Sequence, residues 1–166
     1  MDIFLAIPVL AFALMIQTAI ISTLPLLSGY ADLILLVLIA WGLHGKARAV
    51  WIWTIIAGLM VGTISALPLF VPVAGYLIVM AMTRSLVRRV WQSPVLAMFL
   101  MTFIGSLVYQ GLVMGVLILN GTTLPVSDSL NLVILPATLL NLLMALPVYA
   151  VITDLAQGFY LEEVEE

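Results

Sequence analysis

The stretch GYADLILLVLIAWGLHGKA, residues 29–47, sets an aspartate ahead of an almost unbroken apolar run and a lysine just after it. Asp32 either marks the edge of a membrane helix or is a carboxylate held inside the membrane. From Asp32 to His44 is 12 residues, or ~18 Å of helix at 1.5 Å per residue. A hydrocarbon core is ~30 Å thick. With His44 at one boundary, Asp32 falls well short of the other. The preceding LPLLSGY holds Pro25, Ser28 and Gly29 and need not be regular helix. Irregular backbone at that depth is tolerated only against protein or a water-filled cavity. The carboxylate is therefore expected to face the protein interior or an outward-facing dip. The competing reading is local thinning of the bilayer, with Asp32 as an ordinary helix-start residue favoured by the macrodipole.

Composition places the whole chain in lipid. Of 166 residues, 65% are hydrophobic, against roughly 45–50% in a soluble globular domain. Five Lys or Arg and eight Asp or Glu cannot cover a water-facing surface of this size. The length suits one domain. With no cysteine, disulfides, a thiolate nucleophile and a cysteine-ligated metal are excluded. The first apolar stretch has only Asp2 ahead of it rather than a basic segment, and it outruns an ordinary signal-peptide core, so it is expected to be a retained helix.

Read outward from residues 29–47, the chain gives an all-α integral membrane protein, a compact bundle of six transmembrane helices. The expected spans are 3–24, 27–43, 49–67, 69–87, 95–119 and 130–155, followed by an acidic tail, 156–166. Breaks fall at Pro25 with Ser28-Gly29, at His44-Gly45, at Pro68, at Ser93-Pro94, and at Asn120-Gly121 with Pro125. No period-2 alternation points to a β-barrel. Lys46 and Arg48 lie between spans two and three, and Arg84, Arg88 and Arg89 run from the end of span four toward span five, all on one face of a six-span chain. Basic residues gather on the cytoplasmic side, which predicts cytoplasmic N and C termini. Trp41, Trp51, Trp53 and Trp91 flank those loops, where an interfacial belt is expected.

Residues with catalytic potential are sparse. His44 is the only histidine and lies ~18 Å of helix from Asp32, too far for a triad. No H-E-x-x-H or G-x-S-x-G occurs. The expectation is a non-enzyme without cofactor or metal and without nucleic acid as a partner. Gln17, Gln110 and Asn141 fall within spans one, five and six; such amides either bond helices together or line a small polar pocket. IGSL around Ser106 reads as a small-residue patch. GLMVG places Gly58 and Gly62 on one helix face, and GLVMG does the same for Gly111 and Gly115. That spacing lets helix backbones approach closely, within the bundle or against a partner.

Three blocks, in order, resemble the bacterial rod shape-determining protein MreD family. The first is ADLILLVLIAWGLHGKARA, in which Asp32 opens a Leu-rich helix that ends at a basic loop. The second is GTISALPLFVPVAGYLIVMAMTRSLVRR, a small-residue turn, then Gly75-Tyr76, then a basic end. The third is LPATLLNLLMALPVYAVITDL, with Pro136, Asn141 and Pro147 in the pattern of the family's last helix. The chain carries Ala31 where the family usually has proline, and Gly62-Thr63 where it often has an acidic residue. The resemblance implies a non-enzymatic component of the lateral-wall elongation machinery. Such a protein binds the single-span protein MreC and, through it, RodA and penicillin-binding protein 2, with membrane lipids around it. A different class also fits six apolar helices: a vitamin-binding membrane subunit like the substrate-binding components of energy-coupling-factor transporters, with Asp32, Gln17 and Asn141 around a cavity.

Overall fold

A computed structural model describes residues 2–19, 28–44, 49–87, 93–122 and 125–162, with side chains for all of these except 2–5 and 159–162. The regular structure among them is helical: α1 (Asp2–Ala19), α2 (Leu33–Leu43), α3 (Val50–Ile64), α4 (Phe70–Val87), α5 (Pro94–Leu119), α6 (Val126–Ser129), a π-helical turn (Leu130–Ile134) and α7 (Leu135–Glu162). Three stretches are long and apolar enough to cross a membrane: Phe70–Val87, Pro94–Leu119 and the continuous run Val126–Gly158. Phe12, Phe70, Leu96, Leu139, Leu143 and Val151 stand exposed around the bundle. Water would not tolerate so much uncovered apolar surface, whereas lipid suits it.

Of the other three expected spans, α3 has 15 residues, fewer than a crossing needs, while α1 is described over Asp2–Ala19 and residues 20–24 of the expected first span lie outside the described residues. The second span is corrected most: 27–43 is not one helix. Regular structure begins only at Leu33, after an irregular Ser28–Asp32 segment, and α2 has just 11 residues. At 1.5 Å per residue it reaches ~16 Å, about half of a hydrocarbon core. The expected acidic tail is also partly helix, since α7 continues to Glu162; residues 163–166 lie outside the described residues.

α2 forms the centre of the bundle. Every residue from Leu33 to Gly42 is buried, and α1, α3, α4, α5 and α7 all pack against it. Its sequence, LILLVLIAWGL, has no polar face to give to solvent. A helix apolar all round belongs inside a fold. Around it, α3 and α4 form a close pair with extensive contact. The chain turns between them through Ser65–Leu67, where Ser65 Oγ accepts the Leu67 N–H at 3.2 Å. α5 begins at Pro94, whose missing N–H costs nothing at a helix start.

Candidate functional site

A buried helix that starts inside a bundle has unpaired first-turn N–H groups that water cannot reach. The N-cap side chain and side chains from other helices meet this need in α2. Asp32 is the N-cap, its Oδ1 accepting the Leu35 N–H at 2.9 Å. Its own N–H donates to Asn141 Oδ1 on α7 at 2.7 Å. The Ile34 N–H donates to Gln17 Oε1 on α1 at 3.2 Å. Tyr76 on α4 donates its hydroxyl to the Asp32 carboxylate, 3.0 Å from Oδ2 and 3.2 Å from Oδ1. Asn141 Nδ2 in turn donates to Ser106 Oγ on α5 at 2.8 Å, and Tyr109 stacks on Tyr76 with ring centres 4.9 Å apart. Tyr76, Ser106 and Asn141 are buried, while Asp32 and Gln17 are half-buried. Ser106 falls near the middle of α5, so this polar cluster lies about halfway along the longest spans.

The segment that delivers Asp32 is seated by a proline. In a regular α-helix the Leu132 carbonyl would accept the N–H of residue 136, but residue 136 is proline and has none. The π-helical turn lies over this site, and the free Leu132 carbonyl accepts the Ser28 N–H at 3.0 Å. Gly29 then lies directly on α7. A β-carbon there would stand 2.5 Å from Ala137 N and 2.7 Å from Val133 O, so only glycine fits without moving backbone.

The opposite end of α2 is held as well. Arg84 Nη1 donates to the carbonyls of Gly42 and His44 at 3.2 and 3.3 Å. A guanidinium at a helix C-terminus satisfies orphan carbonyls and complements the dipole. His44 Nδ1 lies 2.8 Å from the Ala40 carbonyl, and its ring stacks with Tyr149 at 6.1 Å. Trp41 and Trp53 stack at 4.3 Å inside the bundle, 2% and 0% exposed. This corrects the expected belt for those two, because Trp41 lies on the buried central helix and Trp53 packs against it. Trp51 is exposed; Trp91, Lys46, Arg48, Arg88 and Arg89 lie outside the described residues.

The structure thus joins Asp32, Gln17 and Asn141 and leaves the other sequence candidates apart. Gly58 and Gly62 serve the α3–α4 contact: a β-carbon on Gly58 would stand 2.6 Å from Val73 Cα, and one on Gly62 would stand 3.2 Å from the Leu69 side chain. Gly111 and Gly115 meet nothing within 4 Å. Gln110 is half-buried on α5 outside the cluster. Sequence reasoning missed Tyr76, Arg84 and the bonding role of Ser106. Chemically the cluster is one carboxylate whose oxygens receive an N–H and a tyrosine hydroxyl, with two amides turned to backbone. Among the described residues no group of three or more His, Cys, Asp or Glu comes together. Comparison with protein-family models, curated proteins and solved structures gave no match to this chain.

Proposed function

We propose that this chain is a non-enzymatic component of the bacterial cell-elongation machinery, related to the MreD family, which holds a single-span partner such as MreC in the inner membrane. The observation that carries this reading is the meeting of the three family-like blocks at one point. Asp32 from the first block accepts from Tyr76 of the second and donates to Asn141 of the third. Pro136, also of the third block, leaves the Leu132 carbonyl free to receive the segment before Asp32. Asp32, Tyr76, Arg84 and Asn141 of these blocks, together with Gln17 outside them, hold the central helix. Their work is architectural: two amides, a tyrosine and an arginine fix a half-length helix at both ends. On this reading, recognition falls to the lipid-facing helix surfaces.

The test is affinity purification of the tagged protein from the organism that carries it, with identification of what accompanies it. MreC, RodA and penicillin-binding protein 2 are the expected companions, and their absence from an otherwise folded preparation contradicts the proposal. The half-buried Asp32 favours a second reading, a ligand-binding transporter subunit like those of energy-coupling-factor systems. Mass spectrometry of the same preparation separates the two, because that reading requires a stoichiometric small molecule and an ATPase partner.

A further inference from the structure

The segment Ser28–Asp32 runs between two anchors on one helical run. At one end the Ser28 N–H donates to the Leu132 carbonyl at 3.0 Å; at the other the Asp32 N–H donates to Asn141 Oδ1 at 2.7 Å. Leu132 and Asn141 are nine residues apart along the π-helical turn and α7, or ~13.5 Å at 1.5 Å per residue. Four residues of fully extended chain reach ~13–14 Å. The segment is therefore close to taut. The start of the central helix is tied to the start of the α7 run, and a shift of the turn pulls on it.

The two anchors differ in strength. Asp32 is held by Asn141, by Tyr76 and by its own bond to Leu35, halfway along the longest spans. At the other end one neutral backbone bond joins an exposed Ser28 to Leu132, which is 44% exposed. Ser127 and Asp128 stand exposed one to two turns before Leu132, which sets this bond near water. A bond there contributes little net free energy, because water replaces either partner. Gly29 adds a close backbone contact with Val133 and Ala137 and no side chain. Between the anchors Ala31 is 3% exposed, next to the half-buried Asp32. Release at Ser28 uncovers Ala31 and the carboxylate while Asn141 still holds the start of α2.

Pro136 decides how often that happens. With any other residue at 136, its N–H would compete with Ser28 for the Leu132 carbonyl. We propose that Ser28–Ala31 is a latch that shuts the polar cluster off from water, and that Pro136 keeps it closed by withholding the competing donor. The latch makes the π-helical turn a control point for access to Asp32.

The test is thiol accessibility in lipid nanodiscs, which the absence of native cysteine makes clean. A cysteine is placed at Ala31, under the latch, or at Ala40, 0% exposed within α2, and treated with a water-soluble methanethiosulfonate. Ala31→Cys should react slowly and Ala40→Cys should stay unreactive. Pro136→Ala should raise the Ala31→Cys rate about 2- to 12-fold, the range for loss of one such bond, with Ala40→Cys still unreactive. Gly29→Ala, whose β-carbon would stand 2.5 Å from Ala137 N, should also raise the rate while leaving the sequence of α7 intact. If the Pro136→Ala protein does not fold, Gly29→Ala decides alone. An Ala31→Cys rate that these substitutions leave unchanged overturns the latch. An Ala40→Cys that reacts as fast as Ala31→Cys overturns it too, because the whole bundle has then loosened.

Discussion

Replacing Asn141 by leucine removes a side chain that hydrogen-bonds both the start of α2 and α5 from α7. Asn141 is 1% exposed, accepts the Asp32 N–H at 2.7 Å and donates to Ser106 Oγ at 2.8 Å. Leucine is close in size, so little cavity forms and the loss is mainly polar. The Asp32 N–H is left without its acceptor, for which an unpaired buried donor costs ~1–3 kcal/mol. Ser106 loses less, because its hydroxyl can turn to a carbonyl one turn back on its own helix. Interhelical bonds in lipid contribute ~0.6–2 kcal/mol each, since the unfolded chain in the membrane also finds partners. Together these give about 2 kcal/mol, a shift of roughly 30-fold in the unfolding equilibrium. Ser106→Ala, which removes one acceptor, should cost about 0.6–1 kcal/mol. In the double variant the two losses should not add, because the residues share one bond. Reversible unfolding in mixed detergent micelles, followed by circular dichroism, measures all three. An Asn141→Leu protein within about 0.5 kcal/mol of the parent would refute the idea that this cluster holds α2 in place.

Three other outcomes follow from the same geometry. Gly58→Ile drives a side chain into the Val73 backbone and should cost about 1–3 kcal/mol by overpacking, whereas Gly111→Ala, with open space around it, should leave stability unchanged or raise it by up to ~1 kcal/mol; thermal denaturation of the two side by side checks the contrast. Arg84→Met strips the guanidinium from the Gly42 and His44 carbonyls and should destabilise by ~0.3–2 kcal/mol, with Arg84→Lys retaining part of the effect. Because the chain has no cysteine, single introduced cysteines report topology cleanly: one at Gly121 should label from outside intact cells and one at Ala49 should not, and the reverse pattern would overturn the cytoplasmic placement of the basic loops.

Much of the helical layout is legible in the sequence because its boundaries carry their own chemistry. Pro94 starts α5 and Asn120-Gly121 ends it, in agreement with the expected span to within one residue. α2 was hidden for the opposite reason. Residues 26–43 are apolar nearly throughout, and hydropathy cannot separate irregular backbone from helix inside such a run. Asp32 marks the start of regular helix: it caps α2 and bonds Asn141 and Tyr76 within the bundle. Gln17 and Asn141 stood out as amides in apolar helices. Tyr76 did not, because its ring reads as apolar and only its hydroxyl reaches the carboxylate. Ser106 passed as a small residue for similar reasons. The seating of Ser28 on Leu132 depends on a proline more than a hundred positions away, a pairing that no local pattern contains. GLMVG and GLVMG are nearly the same motif, yet one is consumed by α4 and the other is open. Their neighbours decide this, and neighbours are a property of the fold.

The proposed role in cell elongation rests on holding a partner and not on chemistry of the chain's own. Depletion of the protein in its native organism, with cell width and the sites of new peptidoglycan incorporation followed by microscopy, tests it most directly. Rods are expected to widen and round up as lateral incorporation is lost, and the parent chain is expected to restore them. Cells that keep their width and lateral incorporation while losing uptake of a small molecule would contradict it.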